Sequence, residues 1–198
     1  MMRLAVLASH EGSTLQALID ACASGELDAQ VVLVISNNSQ AGALRRADAA
    51  GIDRHHISGN THASQAGADH AMVAALNDAQ VDWVLLLGYM KKMGDEVLNQ
   101  YSGRIINTHP ALLPAFCGQV VFGRKLHVSL HAVGVQESGA TLHLVGSEYD
   151  TGPIIAQITI PVSASDDVDA IEHRVKAAEK KLLLDTLKDI GGGKDPSG

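Results

Sequence analysis

Cysteine is scarce in this 198-residue chain: there are two, Cys22 and Cys117, far apart and without a Cys-x-x-Cys pairing. That excludes a disulfide framework and points to a reducing compartment, the cytoplasm by default. Neither thiol has a base at recognisable spacing, so a cysteine nucleophile is not expected at Cys117. Blocks of Lys or Arg are missing too, and the formal net charge is −7. Nucleic acid and anionic membrane surfaces are therefore poor partners. No apolar run reaches membrane-spanning length, and the opening MMRLAVLASHEGS lacks the cleavage pattern of a signal peptide. Two nucleotide signatures are absent as well. Gly12 is not followed by the Gly-Lys of a phosphate-binding P-loop, nor does the segment spell Gly-x-Gly-x-x-Gly. Gly193-Lys194 opens no helix and is no P-loop either. What remains is an ordinary globular composition, 46% hydrophobic and 19% charged, with enough length for one α/β core.

The order of elements supports that class. Leu4 to Ala8 is a short apolar run, followed by Leu15, Leu18, Ile19 and Cys22 at helical spacing up to Gly25. Val31 to Ile35 is continuously apolar and β-branched, as in a strand buried on both faces. A helix from Ala41 to Ala50, a short strand near Arg54 to Ile57, a helix from Ala63 to Asn77 and a buried strand from Val81 to Leu87 follow. Strands alternating with helices imply parallel pairing, with ligands outside the carboxyl ends of the strands. After Pro114 the pattern changes. A helix around Lys125 to Ala132 precedes two extended segments, Gly139 to Val145 and Ile154 to Val162. A long amphipathic helix from about Asp166 to Leu187 closes the chain. The expectation is an α/β, Rossmann-like, mostly parallel sheet with helices on both faces and antiparallel strands added near the C-terminus. Residues 1–189 form a single domain in this reading, and residues 190–198 a flexible tail.

Three short motifs fall where a ligand would sit. Glu11-Gly12-Ser13-Thr14 lies between the first strand and the first helix, where free N–H groups can hold phosphate. Ser and Thr are also preferred as ordinary helix caps, and taken alone the motif is more often a cap than a phosphate site. Asn107-x-His109-Pro110 ends a strand: the residue before proline is pushed to extended geometry, so Asn107 and His109 point the same way. Such a pair could serve a site or satisfy loop backbone. Tyr149-Asp150-Thr151-Gly152-Pro153 joins two strands, and Asp-Thr-Gly is also what turn chemistry places there. His127 and His131 sit four apart on a helix without a third ligand type nearby, which favours a solvated helix face over a metal site. His143 alternates within a strand as a satisfied core histidine would.

Taken together, these segments resemble a known family. GSTLQAL after the first strand, GYMK after the fourth, IINTHPALLP, SGATLH and YDTGPII occur in the order found in phosphoribosylglycinamide formyltransferases. These are folate-dependent enzymes of purine biosynthesis with the formyltransferase fold, and the likeness runs to about Leu187. The resemblance implies that Asn107, His109 and Asp150 are catalytic, and that Gly12, Ser13 and Thr14 hold the acceptor's phosphate. It implies that Glu179 contacts the same acceptor. Tyr89, Met90, Lys91, Lys92 and Met93, with Val145, Gly146, Ser147 and the residues up to Asp150, would wall a folate pocket. Thr14 stands where Asn is usual, Lys91 where Arg is common, and no Arg occurs from Asn60 to Ala71.

The implied reaction moves a formyl group from 10-formyltetrahydrofolate, a cosubstrate, to the amine of glycinamide ribonucleotide through a tetrahedral adduct. An amide and an imidazole can donate to its oxyanion, and Asp150 can carry the proton and support a charged His109. No bound cofactor or metal is needed. Alternatives are 10-formyltetrahydrofolate hydrolysis, whose enzymes carry an extra N-terminal domain where this first strand opens at residue 3, and transfer to another amine. A folate- or nucleotide-sugar-binding module without catalysis would have no need of all three catalytic residues. The expected partners are small molecules, with no nucleic acid and no membrane, and the expected state is a monomer or homodimer.

Overall fold

In a computed structural model, residues 1–114, 124–148, 150–163 and 165–196 are described. Seven strands form one sheet in the order β3-β2-β1-β4-β5-β6-β7. They are β1 (Met2–Leu7), β2 (Ala29–Ser36), β3 (Asp53–His56), β4 (Trp83–Leu86), β5 (Ile105–His109), β6 (Glu137–Leu144) and β7 (Ile154–Pro161). The first five pair in parallel, whereas β6 runs antiparallel to both β5 and β7. The helices are α1 (Ser13–Ala23), α2 (Gly42–Ala49), α3 (Gln65–Asp78), α4 (Asp95–Gln100), α5 (Arg124–Val133) and α6 (Val168–Gly191). This is the mostly parallel sheet with a late antiparallel addition that the element order implies.

Period-two alternation sends each central strand's side chains into two cores. Leu4 and Val6 of β1 join Leu15 and Leu18 of α1 and Leu182 and Leu183 of α6 on one face. Ala5 and Leu7 join Met72 and Leu76 of α3 and Val97 of α4 on the other. Strands buried on both faces need near-continuous apolar runs, which is why VVLVI reads so plainly. The chain turns from building outward through β2 and β3 to building the other way through β4 and β5. A crevice opens at such a switch, between the carboxyl ends of β1 and β4.

Two elements differ from expectation. The six-residue α4 buries only Val97 among its own residues, too little for a periodic signal. Its N-terminus is held from α3, where Asp69 accepts from the Glu96 N–H at 2.9 Å. The closing helix α6 starts at the Asp167 cap, whose carboxylate accepts from Ala170 N–H at 2.8 Å. It continues to Gly191, past the Leu187 expected from periodicity.

Candidate active site

A cleft of about 660 Å³ opens at that switch point. The loops after β1 and β4, the end of β5, the segment after β6 and one side of α6 line it. All the candidates singled out by motif reach its wall. The first group is Gly12, Ser13, Thr14 and Glu179; the second is Tyr89 to Met93 with Val145, Gly146 and Ser147; the third is Asn107, His109 and Asp150. Tyr149 and the Cys117 and Gly118 to Gly123 segment lie outside the described residues.

At the α1 end of the cleft, Gly12 is itself the N-cap of that helix, with no side-chain cap. Ser13 and Thr14 are thus the first helical residues rather than caps, and their N–H groups face the helix's open end. Gly12 sits at φ +71°, and a Cβ there would lie 2.9 Å from Ala43 Cα, so glycine is required twice over. Across the cleft Glu179 is 9% exposed and accepts a 2.6 Å hydrogen bond from the Thr108 hydroxyl. Burial pushes its carboxyl above the ordinary range, against the pull of Thr108, Lys176 and Lys180.

Asn107 and His109 do share one side of β5, while Thr108 between them turns to α6. The chain after β6 folds back and drops Asp150 beside them. Its carboxylate lies 3.6 Å from His109 Nδ1, 3.4 Å from His143 Nε2 and 3.5 Å from Asn107 Nδ2. Asp150 adopts φ +53°, which Asp and Asn tolerate better than most residues. Gly152, two residues on, packs so tightly that a Cβ would stand 1.7 Å from the Leu144 carbonyl oxygen. The Asp-x-Gly spacing is thus a steric demand of the turn that delivers the carboxylate.

His143 was legible only as a core histidine, and it is buried at 2% exposure. It is also a neighbour of Asn107 across the β5–β6 ladder. Its Nδ1 lies 2.9 Å from the Leu144 carbonyl, to which it donates, so Nε2 of the neutral ring accepts from Asn107 Nδ2 at 2.9 Å. The same Nε2 also faces an Asp150 carboxylate oxygen at 3.4 Å. Hydrogen bonding from His143, and secondarily the charges of His109 and His143, hold the Asp150 carboxyl below the usual range. Burial pushes His109 the other way, below an ordinary histidine, with Asp150 opposing. These directions favour a carboxylate facing a neutral imidazole before any proton moves. Nε2 of His109 is buried without a protein hydrogen-bond partner among the described residues.

His127 also departs from expectation. It is 1% exposed and lines the cleft, whereas His131 is the exposed member, 3.1 Å from the Asp166 carbonyl. In the loop after β4, Tyr89 is pushed up to about 12, by burial first and the Asp69 carboxylate second, so it is a neutral phenol. Lys92 and Glu148 pair at 3.5 Å across the rim. Both are exposed, so the pair shapes the wall more than it stabilises it. Among the described residues no group of three His, Cys, Asp or Glu could hold a metal ion.

The family profile of the formyl transferases matches residues 2–187. The chain belongs to the formyl transferase family. It is 34% identical over 192 residues to the phosphoribosylglycinamide formyltransferase of Bacillus subtilis, covering 97% of this chain and 96% of that protein. It is 35% identical over 191 residues to the bovine trifunctional purine biosynthetic protein adenosine-3, where it spans 96% of this chain but only 18% of the relative's length. The crystal structure of glycinamide ribonucleotide transformylase 1 from Symbiobacterium toebii superposes with a TM-score of 0.89 at 35% identity, over 98% of this chain and 89% of that one.

Proposed function

We propose that this chain transfers the formyl group of 10-formyltetrahydrofolate to the amine of glycinamide ribonucleotide, the step its full-length relatives are named for. The observation that carries the reading is the meeting of three groups in one cleft. The Asp150 carboxylate stands 3.6 Å from an imidazole nitrogen of His109 and 3.5 Å from the Asn107 amide nitrogen.

Asn107, His109 and Asp150 act on the formyl carbon. The amine attacks it, forming a C–N bond and an oxyanion. One amide hydrogen of Asn107 is committed to His143, while the other makes only a 3.5 Å contact to Asp150 and can turn to the oxyanion. His109 donates to the oxyanion through Nε2 once that nitrogen has taken a proton from solvent, and the Asp150 carboxylate behind Nδ1 stabilises that charge. Once its C–N bond has formed, the cationic amine nitrogen gives up a proton to Asp150, directly or through water. The folate nitrogen gains one as its bond to carbon breaks.

Gly12, Ser13 and Thr14 bind the acceptor's phosphate and Glu179 its sugar-amide end. Tyr89, Met90, Lys91, Lys92, Met93, Val145, Gly146 and Ser147 enclose the folate, which is a cosubstrate; no bound cofactor or metal enters the scheme. No helix among the described residues is long and apolar enough to cross a membrane. The same reading treats residues 1–189 as one catalytic domain with a short tail, acting in the cytoplasm as a monomer or homodimer on small molecules.

An acceptor screen tests it. The protein is incubated with 10-formyltetrahydrofolate and glycinamide ribonucleotide, other primary amines, or no amine, and loss of the formyl group is followed. Turnover should require glycinamide ribonucleotide. Equal turnover without an amine would make the enzyme a hydrolase, and preference for another amine would move the assignment to that acceptor.

A further inference from the structure

Ser9 takes no part in the chemistry above, yet every polar atom it owns is committed. It lies just beyond β1 at 3% exposure. Its N–H donates to the Gly88 carbonyl at 3.1 Å. Its hydroxyl donates to Asn37 Oδ1 at 2.5 Å and accepts from Met90 N–H at 2.8 Å. Its carbonyl accepts from Asn38 Nδ2 at 3.2 Å. One small residue thus ties the loop after β1 to the loops after β2 and β4.

Among the described residues, the loop that follows Ser9 is otherwise held from the α2 side. Ala43 N–H donates to the His10 carbonyl at 3.1 Å, and Arg46 Nε donates to the Glu11 carbonyl at 2.7 Å. Among the described residues, the hydrogen bonds joining residues 8–14 to residues 88–93 are both made by Ser9. Residues 12 to 14 and 89 to 93 are the two walls assigned above to acceptor and folate. Their separation sets whether the amine meets the formyl carbon at attack distance, where about 1 Å of misplacement costs on the order of a hundredfold in rate.

We infer that Ser9 is a positioning residue that fixes the acceptor loop to the folate loop and makes binding at one subsite felt at the other. This rests on the proposed function only for the identity of the two ligands. Ser keeps the hydroxyl short enough for a buried site and supplies a donor and an acceptor at once, which neither Ala nor Gly can do.

The test is a coupling measurement. The Kd of glycinamide ribonucleotide is determined by calorimetry with and without saturating tetrahydrofolate, the deformylated product, and the reciprocal titration checks linkage. The wild-type protein should show Kd values that differ fivefold or more between the two conditions. In Ser9→Ala the two values should converge to within twofold, and kcat should fall at least tenfold while either Kd measured alone moves less than threefold. A purely structural serine would lower the melting temperature and leave the coupling factor intact. That result, or uncoupled binding in the wild type, overturns the inference. Should Ser9→Ala fail to fold, Asn37→Ala removes the acceptor of the Ser9 hydroxyl and leaves the serine in place, and it too should reduce the coupling; undiminished coupling there overturns the inference equally. Failure of the wild type to bind either ligand would instead strike the proposed function.

Discussion

Replacing Asp150 by Asn changes one oxygen for an NH₂ and little else in shape. The residue's φ of +53° suits Asn as well as Asp, and the turn is set by the packing of Gly152 and the Pro153 carbonyl, which accepts from Leu144 N–H at 2.9 Å. Folding should therefore survive. The charge does not. An imidazolium at His109 and a carboxylate 3.6 Å away attract by about 4–5 kcal/mol at an effective dielectric of about 20. Because the resting His109 is neutral, that attraction is gained only as the oxyanion forms, so its loss falls on kcat and not on binding. A loss of about 4 kcal/mol is roughly three orders of magnitude in kcat. Steady-state kinetics following tetrahydrofolate release, with separate titrations of both ligands and a thermal melt, measure each part. The His109 ring should also titrate lower by NMR in the variant, since Asp150 is what opposes burial there. A variant that keeps more than a tenth of wild-type kcat, or that unfolds, would make the carboxylate a turn former and the mechanism wrong.

Three further outcomes are expected. His109→Ala should lower kcat by roughly a hundredfold or more with little change in folate affinity, read from kcat and a folate titration; near-normal kcat would reduce His109 to a loop ligand. Gly12→Val puts a branched side chain at φ +71° against Ala43, and should raise the acceptor's KM at least tenfold while the folate's stays within about twofold; equal effects on both would break the assignment of that loop. Glu179 has a raised folded-state pKa, so its contribution to stability is complete below the ordinary carboxyl pKa and is lost as pH rises through the raised value. Glu179→Gln should thus melt above the wild type at pH 8, by roughly 2–4 °C per kcal/mol for a chain this size. It should lose that advantage below about pH 4 and bind acceptor more weakly at neutral pH; an advantage equal at both pH values contradicts a buried carboxylate.

The parallel half of the fold is legible because its signal is local. Strands such as Val31 to Ile35 are buried on both faces, and the helices between them carry apolar stripes that meet one face of the sheet. What escaped is what neighbours decide. The α4 helix has six residues and one buried apolar side chain, and Asp69 from another helix holds its end. His127 and His131 look alike at i and i+4. Only the packing of α6 over α5 buries one and leaves the other exposed.

The site divides along the same line. Asn107-x-His109 is a local pattern, two residues of one strand on one side, and it could be read without knowing what they faced. Asp150 is 43 positions from Asn107 in sequence and reaches it by a route no local pattern encodes. β6 runs against β5 in a register that sets His143 opposite Asn107, and Val145 at its end packs in the core on the Ile105 side. The chain then has to turn back over the side carrying Asn107 and His109, and the crowding at Gly152 fixes how tightly it does so. A slip of one residue in the β5–β6 register would turn His143 to the opposite face and remove the partner that orients the Asn107 amide. The antiparallel strand, which breaks the otherwise regular alternation of the fold, is thus what gathers two side chains at a strand end into the cluster of four polar groups to which the proposed mechanism gives the proton transfers.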